Sequence, residues 1–252
     1  MSRGLNGYGG DVTRANIPDP GSFPRGWRSL AKLLIVFLRS RNQWRTWKVE
    51  KKRIPALDAS INIFRKELLR CRELGLVDAE RIYNVGLYLL LTDRDCAILK
   101  VQMVSSLENW HLRFTARQVA LLLYEVCDDL IALLGRQFRE SLLALSAAKD
   151  DIETFNKIYH ALTQFREKNR EFLYNSIRNL VAGHRSQDSL EFLRTVEGID
   201  PLYVFNLGGE FYGIIKALIQ FLTQALVRMA TPETAFRQLL GSPKFRGIVA
   251  SH

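Results

Sequence analysis

The chain of 252 residues is 47% hydrophobic and 25% charged, a globular balance that can fill one large domain or two small ones. Its net charge of +10 points to an acidic partner, either nucleic acid phosphate or an anionic membrane surface. The three cysteines are widely separated, which argues against a disulfide framework. The four histidines lack metal-ligand spacing. They also predict that the protein needs no metal or other cofactor.

The first 24 residues are rich in glycine and proline and predict a loose N-terminal arm. They contain no apolar segment typical of a signal peptide. The longest apolar segment, residues 211–227, is interrupted by polar side chains such as Lys216 and Gln220, so no membrane span is expected. Together these features predict a cytoplasmic protein.

Residues 25–107 form a predicted basic helical region. Prolines, glycines and polar runs divide it into helices over 25–53, 56–74, 78–91 and 94–107. The first break is placed at Ile54–Pro55, and Gly75 is expected to stop the second helix. The sequence "TDRDC" at 92–96 is typical of a helix start with a local charge pair.

Residues 25–53 interleave ten Lys/Arg with aromatic residues, and Glu50 is their one acid. Arginines pair with phosphates and aromatic rings stack on unpaired bases, so this stretch is a candidate RNA-binding surface. Two alternatives remain open: a helix in a membrane surface, centred on the apolar run "LLIVFL", and a packed helix with a solvated basic face. The candidate RNA-binding residues are Arg25, Arg28, Arg39, Arg41, Trp44, Arg45 and Trp47, with Arg185 further along the chain.

Residues 108–252 show apolar residues at steps of three and four, and Leu123, Phe165 and Phe211 are among those expected to face the core. The pattern predicts helices over 116–142, about 150–182 and about 208–229. Turns are expected near Gly198 and Pro201 and at Gly208–Gly209. Thr231–Pro232 is expected to start a short final helix. The whole pattern predicts an all-α fold, an up-down helical bundle preceded by additional N-terminal helices.

The sequence "NSIRNLVAGHR", residues 175–185, ends the second of these helices. At 100° per residue Arg178 faces away from the apolar stripe, Asn179 lies on its flank, and Gly183 can end the helix so that His184 turns back. A guanidinium can stabilise a phosphorane and an imidazole can exchange a proton near pH 7. The structural alternative is that Arg178 and His184 only complement the negative end of the helix dipole.

The segment "IRNLVAGHR", at the end of a long amphipathic helix and followed by another bundle helix, resembles the signature of the HEPN superfamily. The resemblance covers about residues 108–230, and in residue identity only 178–185. Members are all-α four-helix bundles, and many are metal-independent endoribonucleases of toxin–antitoxin or anti-phage defence systems. Their site is composite, built across a homodimer from two copies of the motif, so the resemblance implies a dimer with RNA as substrate. It leaves room for an antitoxin or defence-system partner.

The resemblance also implies roles for individual residues. His184 acts as base or acid in attack by the ribose 2′-hydroxyl, which leaves a 2′,3′-cyclic phosphate. Arg178 stabilises the phosphoryl charge and Asn179 orients the pair. Family members often carry an acid on a preceding helix, and Asp129 in "YEVCDD" lies nearest the edge of that helix's stripe. The alternatives are a non-catalytic HEPN-like binding or regulatory module and a membrane-surface interaction protein.

Overall fold

The structure is a computed structural model that describes residues 25–106, 108–145, 147–174, 189–229 and 231, with side chains from residue 40 onward except at 191, 192 and 229. Within these residues the regular structure is helical and no strand is present. The predicted all-α helical bundle is therefore confirmed. The helices are α1 (Arg25–Leu74), α2 (Val77–Ser105), α3 (Asn109–Leu133), α4 (Arg136–Ala144), α5 (Lys149–Lys168), α6 (Ser189–Gly198) and α7 (Pro201–Met229).

Helix α1 runs through Pro55 without interruption, so the predicted break there is wrong. A proline in a helix interior removes one backbone hydrogen bond. Here α1 is tied to α2 close to the proline, which offsets that loss. Arg53 donates to Asp93, and Arg94 donates to Asp58.

The predicted stop of α1 at Gly75 is confirmed. Gly75 has a φ of 70°, a left-handed conformation that glycine adopts without strain. Its N–H donates to the carbonyl of Arg72, and the N–H of Leu76 donates to the carbonyl of Cys71. These bonds satisfy the last carbonyls of α1 and turn the chain directly into α2.

Helix α2 is one helix, whereas two were predicted, over 78–91 and 94–107. The polar residues between them, Thr92 and Asp93, are buried inside α2. They do not start a helix. Asp93 faces α1 and pairs with Arg53, so the polar run marks a contact between helices.

The predicted helix over 116–142 is two helices, α3 and α4, which meet at Gly135. A Cβ at Gly135 would lie 3.2 Å from the carbonyl oxygen of Ala132, closer than most side chains approach. The break there lets α4 pack Phe138 and Leu142 into the core.

Helix α5 begins where the carboxylate of Asp151 accepts a hydrogen bond of 3.1 Å from the N–H of Ala148. It ends at Lys168, and a wider π-type turn follows over 171–174. The remainder of the predicted 150–182 helix, from residue 175, lies outside the described residues.

Helix α6 was not predicted, whereas the turn near Gly198 is confirmed. Helix α7 begins at Pro201 and not near 208. Asp200 accepts the N–H of Leu202 at 2.9 Å, and a proline suits the first helical turn. Consequently Gly208–Gly209, predicted to form a turn, lies inside α7.

Helices α5 and α7 run antiparallel, as expected for an up-down bundle. Phe155 of α5 contacts Phe221 of α7, and Phe165 contacts Phe211, so these two helices run in opposite directions. The core between α2, α3, α4, α5 and α7 removes large apolar side chains from water, which is the main source of stability. Its fully buried large side chains are Ile82, Leu89, Leu123, Leu130, Leu134, Phe138, Leu142, Leu162, Leu173, Phe211 and Ile215.

By length and composition alone, the segment Pro201–Arg228 could cross a membrane, although the sequence predicts no span. In the bundle one stripe of this helix packs into the core. Phe211, Ile215 and Leu218 on that stripe are buried. A core helix of a bundle meets the same length and composition test.

The chain divides after Arg45 into two compact units, residues 1–45 and 46–252. Within the second unit α2 contacts α3, α4 and α7. The predicted division into residues 25–107 and 108–252 stays a prediction. The predicted arm, residues 1–24, and the short helix expected after Thr231 lie outside the described residues.

Candidate functional site

The residues at the centre of the ribonuclease prediction, Arg178, Asn179, His184 and Arg185, lie outside the described residues. The structure does describe the segment that leads to them, residues 170–174, and its contacts with α3.

Asp128, Arg166 and Tyr174 form a group of polar contacts between α3 and this segment, here named the Asp128 cluster. A guanidinium nitrogen of Arg166 lies 2.8 Å from a carboxylate oxygen of Asp128. Arg166 Nε donates to the hydroxyl of Tyr174 at 2.8 Å, and that hydroxyl donates to Asp128. The ring of Tyr174 also packs edge-on against Tyr124, with centroids 4.5 Å apart. The cluster therefore fixes the last described turn before the motif to α3.

Electrostatics keep the members of this cluster in defined protonation states. Burial and the hydrogen bond to Asp128 raise the pKa of Tyr174 to about 12, so its hydroxyl stays protonated at neutral pH. The hydrogen bond to Tyr174 raises the pKa of Arg166, which stays cationic. The side chains of Asp128 and Arg166 are each 33% exposed, so the cluster lies at the edge of the bundle.

Asp129, the acid chosen from sequence, faces a different neighbour. It is exposed and accepts a 2.8 Å hydrogen bond from the hydroxyl of Tyr88 on α2. Burial, together with this bond, raises the pKa of Tyr88 above its usual value. The acid that contacts the segment leading to the motif is thus Asp128. Helical periodicity separates a buried face from an exposed one, but it does not say which neighbour an edge residue meets.

The candidate RNA-binding residues of α1 are described in part. Three of them lie on the helix before residue 40, where side chains are not described: Arg25, Arg28 and Arg39. The others are exposed: Arg41, Trp44 (57%), Arg45 and Trp47 (50%). The ammonium of Lys51 lies 4.7 Å from the ring centroid of Trp47, a cation–π contact that leaves a basic, aromatic surface.

A cavity of about 270 Å³ lies between α1, α2, α3 and α7. Its polar lining consists of Glu50, Arg53, Lys100 and Tyr212. The remaining lining is apolar or small and comprises Cys96, Ala97, Leu99, Met103, Val119, Leu122, Leu123, Phe205, Gly208 and Gly209.

A network of charges borders this cavity. Arg53 Nε lies 2.9 Å from Glu50, and Arg53 Nη1 lies 2.9 Å from Asp93 and donates to the hydroxyl of Tyr212. Lys100 Nζ lies 2.9 Å from the other carboxylate oxygen of Glu50. Two cations and two carboxylates therefore balance one another.

The network also sets the protonation of its members. Burial alone would raise the pKa of Glu50, but the hydrogen bond and charge of Lys100, with those of Arg53, hold it below the usual value. Burial and the charge of Asp93 raise the pKa of Tyr212. At neutral pH the carboxylate is thus ionised and the phenol is not.

The cavity lining contains a thiol, that of Cys96. Burial and the charge of Asp93 raise the pKa of the Cys96 thiol to about 12, which makes it a poor nucleophile. Among the residues that the structure describes, no three His, Cys, Asp or Glu side chains converge as metal ligands.

The fold and these contacts define an all-α helical bundle with a polar cluster at the end of α5 and a mostly apolar cavity. No protein-family model, curated protein or solved structure matches the chain.

Proposed function

We propose that the chain is a metal-independent endoribonuclease of the HEPN type, acting in toxin–antitoxin or anti-phage defence. A homodimer would build its composite site from two copies of the motif. His184 would exchange the proton of the attacking ribose 2′-hydroxyl, Arg178 would stabilise the phosphoryl charge, and Asn179 would orient the pair. The all-α bundle and the motif in the sequence support this assignment.

The observation that carries the proposal is the Asp128 cluster. Tyr174 precedes Arg178 by four residues in the sequence. A carboxylate and a guanidinium hold Tyr174 against α3, so the motif follows an anchored point in the chain. A catalytic group needs such support to keep its geometry. Asp128 would act as a positioning residue, and Asp129 is the alternative acid.

The π-type turn at 171–174 gives a second, independent support. Such turns are rare in helices and occur frequently at functional sites.

The exposed surface of α1 supports RNA as the substrate. Trp44 and Trp47 are exposed aromatic residues, a residue type on which unpaired bases stack, and the exposed Arg41 and Arg45 are of the type that pairs with phosphates. RNA affinity should fall steeply between low and moderate salt, because phosphate contacts release counterions. Binding to anionic vesicles with no binding to RNA would favour the membrane-surface alternative.

The proposal is tested by cleavage of an end-labelled single-stranded RNA in the presence of EDTA. The wild type should produce 2′,3′-cyclic phosphate ends. His184→Ala and Arg178→Ala should each lower the rate by about 100-fold or more, with an unchanged helical CD spectrum. His160→Ala is the matched control, because His160 is exposed on α5.

Undiminished cleavage by both motif variants would refute the assignment. The non-catalytic binding or regulatory alternative would be supported by an intact dimer that binds RNA without cleaving it and does not arrest growth on expression.

A further inference from the structure

We propose that the cavity between α1, α2, α3 and α7 binds a neutral, mostly apolar small molecule of about ten to twelve non-hydrogen atoms with one hydrogen-bond acceptor. This site goes beyond RNA cleavage and does not depend on it.

The size of the ligand follows from the volume. A cavity of roughly 150 Å³ lined by aliphatic and aromatic side chains holds one benzene molecule. At about 270 Å³ this cavity accommodates a fused two-ring compound or a branched aliphatic compound of similar bulk.

Two consecutive glycines line the cavity and keep this part of it free of side chains. Gly208 and Gly209 lie inside α7, where glycine destabilises a helix relative to alanine. A Cβ at Gly209 would meet nothing within 4 Å, and one at Gly208 would make an ordinary 3.5 Å contact with Val119. Packing within the described chain therefore does not require glycine at either position. Larger side chains here would narrow the cavity.

The charge balance selects a neutral ligand. Arg53 and Lys100 are already matched by Glu50 and Asp93, so an ionised head group would bring an uncompensated charge beside an apolar cavity. The ammonium of Lys100 has three N–H donors, and one of them bonds to Glu50. A ligand with a carbonyl at its polar end can accept from a second donor.

The experiment uses three probes of similar size: 1-indanone, which is neutral with a carbonyl, indane, which lacks the acceptor, and the indane-2-carboxylate anion. Binding to the full chain is measured by calorimetric titration and saturation-transfer NMR, without RNA. We expect 1-indanone to bind about fivefold more tightly than indane, the effect of one hydrogen bond, and more tightly than the anion. Lys100→Met should remove the preference for 1-indanone over indane.

Two variants of α7 locate the binding. Gly208→Leu places a side chain in the cavity and should weaken 1-indanone binding by at least about tenfold. Gly213→Leu is the matched control, because Gly213 lies on the same helix, is exposed, and has open space at its Cβ. If Gly208→Leu does not fold, as judged by CD, Gly209→Leu takes its place, because Gly209 lines the cavity, whereas Gly213 does not belong to its lining.

Absence of binding by the wild type, or equal binding by the cavity-filling and control variants, would overturn the proposal. Preference for the anion would overturn the ligand class. His184→Ala should bind 1-indanone as the wild type does, so failure of the ribonuclease assignment leaves this test intact.

Discussion

Two clusters in this bundle use the same chemical groups in different surroundings. Beside the cavity, Arg53 joins Asp93 and Tyr212; at the end of α5, Arg166 joins Asp128 and Tyr174. The Asp93 side chain is 9% exposed, whereas the Asp128 side chain is 33% exposed.

The difference in exposure separates two roles for the same contact. A buried carboxylate that loses its charge leaves a guanidinium poorly solvated. The buried cluster of Arg53, Asp93 and Tyr212 is therefore expected to govern stability. Water can partly replace a contact at the edge of the bundle. The Asp128 cluster is therefore expected to affect the position of the segment before the motif more than the stability of the fold.

The largest effect is expected from Asp93→Asn. The substitution leaves Arg53 without its main partner between α1 and α2, and it should lower the free energy of unfolding by about 2–3 kcal/mol. Urea unfolding followed by far-UV CD measures the loss.

The control for that change is Asp58→Asn, which breaks another pair between the same helices. Asp58 lies 3.1 Å from Arg94, but its side chain is 50% exposed. A loss of no more than about 0.5 kcal/mol is expected. Equal losses in both variants would show that burial does not distinguish the pairs.

A smaller effect on stability, with a clear effect on activity, is expected from Asp128→Asn. The charged hydrogen bonds to Arg166 and Tyr174 would weaken, at a cost of about 1 kcal/mol. If Asp128 positions the motif, kcat for RNA cleavage should fall by about tenfold with little change in KM.

Asp129→Asn is the matched control on the neighbouring residue, because it alters a contact with Tyr88 on α2. We expect wild-type kcat from this variant. A larger loss of kcat from Asp129→Asn than from Asp128→Asn would identify Asp129 as the acid that matters.

The helices themselves were largely predictable because they depend on local patterns. The apolar stripes placed Leu123, Phe165 and Phe211 in the core correctly, and Gly75 ended α1 as expected. The errors arose where distant contacts override local preference. Pro55 lies inside a helix that α2 supports, and Asp93 lies mid-helix because it pairs across to α1.

The sites were less predictable for the same reason. The lining of the cavity comes from four helices that are far apart in sequence, so no local spacing indicates it. Gly208 and Gly209 line the cavity, but two adjacent glycines were predicted to form a turn and lie inside α7 instead. The sequence could not show that Asp128 contacts Arg166 of α5, and both the choice of Asp129 and the motif residues remain predictions.

The smallest expected effect is a pH dependence of the stability that the Asp128 cluster contributes, tested with Tyr174→Phe. At pH 8 the variant should be less stable than the wild type by about 0.5–1 kcal/mol, because two hydrogen bonds of the hydroxyl are lost. Burial and Asp128 raise the folded-state pKa of Tyr174 to about 12, above the value of about 10 in an unfolded chain. The unfolded state therefore loses this proton first, and the stability that the hydroxyl contributes below pH 10 is lost as the pH rises towards 12. Urea unfolding at pH 8, 10 and 11 should show the two proteins converging, with Tyr203→Phe as a control for general alkaline destabilisation. A difference that stays constant or widens with pH would mean that Asp128 does not hold the protonated form of Tyr174.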